Sequence, residues 1–176
     1  VFASRNLTRD DEAAPTLYPA GTLLPPRIAR RRDLSMDWAD NSDDTITTGG
    51  IADIRHDRLR VEAGLFFTRQ TERTFSDLLT GVTDTGFVAQ RDIIANTDIS
   101  DRSWSGEVRV SRPFVLGGSS HQIALSVRGR DRFRRFGGAD WVSLGASTIL
   151  APDDREMPAF EIGEKNRDSV RQFFYG

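Results

Sequence analysis

The chain contains no cysteine. That removes disulfides, thiol nucleophiles and Cys-based zinc sites, and it fits either the cytoplasm or the cell envelope. Lysine is almost missing too: of 24 basic residues, only Lys165 is not arginine. The two histidines, His56 and His121, lie in turn-like sequence, far apart and without an H-E-x-x-H context, so no zinc site is expected. No apolar run approaches the ~18 residues of a membrane helix. G-x-S-x-G, P-loop and G-x-G-x-x-G motifs do not occur. The acidic clusters Asp10-Asp11-Glu12, Asp40 to Asp44 and Asp153-Asp154 lack EF-hand spacing and read as solvated loop charge. No catalytic constellation emerges, so the expectation is a non-enzyme with no metal and no cofactor. A net charge of −2 gives no general pull toward nucleic acid, and Arg30-Arg31-Arg32 is not interleaved with aromatics. No basic stretch leads into an apolar core at Val1-Phe2-Ala3-Ser4, so an exported protein would carry its leader elsewhere.

What the chain does have is alternation. Trp104, Gly106, Val108 and Val110 alternate with Ser103, Ser105, Glu107, Arg109 and Ser111. After a Gly117-Gly118-Ser119-Ser120 turn, Ile123, Leu125, Val127 and Gly129 alternate with Gln122, Ser126, Arg128 and Arg130. Strand side chains point to opposite faces in turn, so one face is apolar and the other charged. A second hairpin is read over 45–71. Its turn is His56-Asp57-Arg58, and Leu59, Val61, Ala63, Leu65 and Phe67 share one face. The expected organisation is a loop-rich 1–44, a hairpin over 45–71, a long loop over 72–102, a hairpin over 103–133, a long loop over 134–167 and a truncated strand over 168–176. Phe75, Leu78 and Leu79 have helical spacing, so a short helix is expected inside the first long loop.

Hydrophobic residues make up 38% of the 176 and charged residues 28%, averages that look soluble but also suit a membrane barrel, where only alternate strand residues need be apolar. The connections run short, long, short, long. Soluble sandwiches space their turns more evenly, whereas outer-membrane barrels join strands of about ten residues by short turns on one side and long loops on the other. The expected fold is therefore all-β: antiparallel up-and-down strands of a transmembrane β-barrel, incomplete, with long extracellular loops.

The hairpin from Arg102-Ser103-Trp104-Ser105-Gly106 through Pro113-Phe114 and on to Arg130 resembles a barrel hairpin of TonB-dependent outer-membrane receptors. The stretch Arg135-Phe136-Gly137-Gly138-Ala139-Asp140 and the strand entry Asp168-Ser169-Val170-Arg171-Gln172 are similar to that family as well. The resemblance covers roughly residues 34–176. It implies a barrel with an N-terminal plug in the outer membrane of a Gram-negative cell. Such a barrel imports a ferric siderophore or similar nutrient, with energy from an inner-membrane complex acting through the plug. No plug, coupling box or C-terminal strand is recognised in this sequence. Its partners would be outer-membrane lipid, the small ligand and that complex, and not nucleic acid. A soluble β-rich binding domain and a porin-type passive channel are the competing readings.

Arg128, Arg130, Arg132, Arg134 and Arg135 cluster at one strand end. Clustered charge of one sign concentrates an anionic ligand. The same arginines would equally suit a solvated lumen face paired with acids such as Glu107. The candidate ligand contacts are Arg132, Arg134, Arg135 and Trp141, which offer charge and a stacking surface. Trp104, Phe114, Phe67 and Phe133 fall at strand ends, which suits either a membrane girdle or the edge of a soluble core.

Overall fold

The computed structural model describes residues 1–10, 15–29 and 32–176. Within them the chain is all-β, with eight strands and no helix: β1 (Phe2–Asp10), β2 (Thr16–Pro19), β3 (Asn41–His56), β4 (Leu59–Val82), β5 (Phe87–Leu116), β6 (Ser119–Phe136), β7 (Asp140–Thr148) and β8 (Asn166–Tyr175). They form one sheet in the order β1-β3-β4-β5-β6-β8, with β7 on β5 and the short β2 parallel to β4. All other pairings are antiparallel. The sheet is open, with β1 and β8 at its edges.

Register aligns the alternating patterns across five strands. Ala52, Ala63, Val108 and Val127 lie in one cross-strand row, and Ile54, Val61, Val110 and Leu125 in the next. Residues directly opposite share a face, so these rows form one apolar face. Leu65, Trp104, Ile123 and Phe173 extend it, and none of these side chains is covered. Arg60, Glu62, Glu107, Arg109, Arg128 and Arg130 occupy the other face. The apolar band stops at Phe67, packed on Trp104 with ring centroids 4.6 Å apart; the next residues on that face are Arg69 and Arg102. Phe114 and His121, stacked at 5.3 Å, mark the other end of β5 and β6.

Beyond Thr71 the same apolar face of β4 is covered. Residues 34–39 and 149–162 lie over it. Met36, Ala39, Phe75, Ile93 and Ala95 form one buried cluster with Trp38 and Phe160 against it. Leu34, Leu79, Val82, Val88 and Ile149 form a second. Between them Arg91, 2% exposed, bonds Asp77, the Leu34 carbonyl and, at 2.9 Å, Asp153. Burial pushes the Asp77 carboxyl above its ordinary range while Arg91 pulls it back.

Several boundaries differ from the sequence reading. Residues 2–10 are not loop but a strand, held by pairing with β3, although nothing in Phe2–Asp10 alternates cleanly. The stretch 72–102 is not a loop: β4 and β5 simply continue through it to a turn at 83–86. The helix expected at Phe75, Leu78 and Leu79 is strand; Phe75 and Leu79 sit on one face, and that face is buried, which disguised the strand period. The second long loop contains β7, and the last strand starts at Asn166. Asp43 and Asp44 are strand residues rather than loop charge. The triplet Arg30-Arg31-Arg32 and the cluster Asp10-Asp11-Glu12 fall partly outside the described residues.

Candidate functional site

The polar face carries the candidate site. Its positions follow from alternation: even-numbered residues on β4, β6 and β8 meet odd-numbered residues on β5. Thr68, Ser103 and Arg132 share one row, and Gln70, Asp101 and Arg134 the next. Thr68, Gln70, Asp101, Ser103 and Arg132, together with Ser105 and Arg130, line a shallow basin of about 450 Å³, and Arg134 lies beside it.

Its charges are unevenly neutralised. Arg132 engages Asp101 through two nitrogens: Nε donates to Oδ2 at 2.8 Å and to Oδ1 at 3.1 Å, and Nη2 donates to Oδ2. Bidentate arginine–carboxylate geometry is the strong form of this contact. Arg109 donates to Glu107 at 3.1 Å. Among the described residues Arg130 donates only to the Ser103 hydroxyl, at 3.2 Å. Arg128 lies 4.9 Å over the Phe174 ring, and Arg134 lies 5.2 Å over Phe136. Phe66 on β4 and Phe174 on β8 both line a second hollow of about 290 Å³. Guanidinium groups with no carboxylate partner among the described residues, next to aromatic faces, offer charge and stacking to a planar anion.

The four sequence candidates divide. Arg132 and Arg134 lie together on this face. Arg135 points to the opposite face, one residue on, because alternation reverses it. Trp141, on β7 opposite Ile94, keeps the face of the pair but stands six residues along β4 from the Gln70 row. At ~3.3 Å per residue that is about 20 Å away. A single small ligand therefore cannot touch all four. Sequence reasoning missed Asp101, which neutralises Arg132 from 31 positions away, and the aromatic partners Phe66 and Phe174. Only register brings these residues together, and no local pattern encodes it. Among the described residues no cluster of potential metal ligands is found.

No family model, no curated protein and no solved structure matches this chain.

Proposed function

We propose that this chain forms a continuous part of the wall of an outer-membrane β-barrel, and that the barrel is a receptor importing a ferric siderophore or similar nutrient ligand. One observation carries the reading. The sheet covers its apolar face with packed chain beyond Thr71, yet leaves the same face bare between the Phe67–Trp104 row and Phe114. From Trp104 to Phe114 is eleven residues, the length of a tilted membrane strand, with Arg112, opposite Ile123, the charged residue of β5 on that face near its Phe114 end. A protein bathed in water would gain ~25 cal/mol per Å² by covering such a band, whereas lipid covers it at no cost. Charged residues on the opposite face suit a wetted barrel interior. The open edges at β1 and β8 call for further strands, since unpaired backbone groups in lipid cost several kcal/mol each.

The uptake part of the reading rests on the arginine-rich interior and on the family resemblance of the hairpins. A soluble β-rich binding domain would need a cover for the bare band, and none of the described residues supplies one. The test is uptake of a panel of labelled ferric siderophores by iron-limited cells that carry or lack the intact gene. Loss of uptake of one siderophore on deletion is expected, together with weaker uptake on restoring the gene with Arg128→Ala, Arg130→Ala and Arg134→Ala. Unchanged uptake of every siderophore after deletion would overturn the transport reading.

A further inference from the structure

We propose that arginines on the apolar face, just beyond the bare band, bind the phosphate groups of anionic lipid in the outer leaflet. The inference rests on the membrane reading above and names what meets the protein at the rim of the band.

The register carries the argument. Past Phe67 and Trp104 the next residues on that face are Arg69 on β4 and Arg102 on β5, and they stand directly opposite each other. One row further, Arg135 on β6 stands directly opposite Arg167 on β8. The rows are two residues apart, roughly 7 Å. Like charges directly opposite in an antiparallel sheet are destabilising, with Cβ atoms ~4.5–5.5 Å apart. Here the sheet does this twice in adjacent rows. The neighbouring carboxylates on the face are already engaged: Asp44 by Arg5 at 2.7 Å and Asp131 by Arg171 at 3.0 Å. Arg102 rests 4.8 Å over the Phe133 ring, and all four side chains are exposed.

An anion shared between the paired guanidinium groups removes the repulsion. Guanidinium presents a planar fork that matches phosphate oxygens, a match lysine lacks. The apolar band directly below would carry the acyl chains of the same molecule, which favours a lipid over a free ion.

Flotation with vesicles of the intact barrel protein that contains this chain, folded in detergent, tests this. One set is phosphatidylcholine alone; the other carries diphosphoryl lipid A as well. The native protein should bind both, the second more tightly, with the gain lost at high salt. Each surface arginine near an anionic membrane contributes about fivefold. The variant Arg69→Gln/Arg102→Gln/Arg135→Gln/Arg167→Gln should therefore lose at least about tenfold of that gain. Arg128→Gln/Arg130→Gln, on the opposite face, should keep it. Circular dichroism in detergent confirms that each variant folds. An undiminished gain in the fourfold variant, an equal loss in the control, or removal of the gain by matched inorganic phosphate would overturn the proposal. Binding to neutral vesicles with no gain from lipid A would overturn it alone; binding to neither would overturn the membrane reading with it.

Discussion

Arg91 is the side chain on which the packed end of the sheet turns. It bonds Asp77 on β4, Asp153 in the segment that covers β4 and β5, and the Leu34 carbonyl in the other covering segment. Arg91→Met would leave Asp77 buried without its cation, while Asp153 keeps Arg155 at 3.1 Å; breaking a buried pair typically costs 3–5 kcal/mol. Urea unfolding followed by the fluorescence of Trp38, which donates to the Arg155 carbonyl at 2.9 Å, should report a loss of about that size. Gly138 is a second sensitive point. Its φ is +68°, and a Cβ there would stand 2.5 Å from the Gly163 carbonyl oxygen. Gly145 has a similar φ of +74° but open space around it. Gly138→Ala should therefore destabilise by more than the ~1 kcal/mol expected of Gly145→Ala, a difference the same unfolding measurement reads. Arg91 falls inside the stretch 72–102 read as a long loop, and Gly138 entered the sequence reading only as part of the family resemblance.

Strands were legible where one face is bare. Leu59 to Phe67, Trp104 to Val110 and Ile123 to Gly129 alternate cleanly because one side meets charge and the other does not. The pattern failed further up for two physical reasons. The covered face of β4 carries Arg73 and the buried Asp77 between Phe75 and Leu79, and Leu78 stands on the other face, so apolar and polar residues do not sort by face there. A bulge at Asp98, whose φ is 57°, also shifts the pairing of β5 between Ile99 and Asn96. Below it Trp104 and Val108 take the apolar face; above it the odd-numbered Ile93 and Ala95 do. The two parts of β5 are therefore out of phase, which made 72–102 read as a loop. The facing of β5 predicts an asymmetry. Val108→Arg should weaken folding into lipid vesicles by ~2–4 kcal/mol, whereas Ser105→Glu, facing Arg130, should cost about 1 kcal/mol or less. Urea titration of vesicle-folded protein gives both numbers. The turns predict topology. In intact cells a cysteine reagent that cannot cross the outer membrane should label Ala139→Cys and miss Arg58→Cys; the reverse result would invert the orientation. Ala139 is preferable to its neighbour Gly138 because it is exposed and not held in a positive-φ geometry.

At the scale of the molecule, two regimes share one sheet. One end has a buried core and a covering chain, and the other is a curtain of strands with an uncovered apolar side and a charged side. The all-β antiparallel character was readable from alternation, as was the division into faces. The order of the sheet, its edge at β1 and the core at the far end were not, because long-range register leaves no mark on local sequence. In water the bare band is a large exposed apolar patch, so the chain should elute as aggregate on size exclusion without detergent. A monomer in plain buffer that unfolds cooperatively would favour a soluble domain. The most direct measurement uses the absence of native cysteine. Single cysteines placed in turn from Trp104 to Arg112 can be spin-labelled in vesicle-folded protein. Their collision rates with oxygen, which concentrates in lipid, and with a water-soluble nickel chelate are then compared. The account predicts a period of two, with even positions such as 104, 108 and 110 favouring oxygen and odd positions such as 105, 107 and 109 favouring nickel. Equal access of the nickel chelate to both sets would mean that water, not lipid, meets the apolar face, and would contradict it.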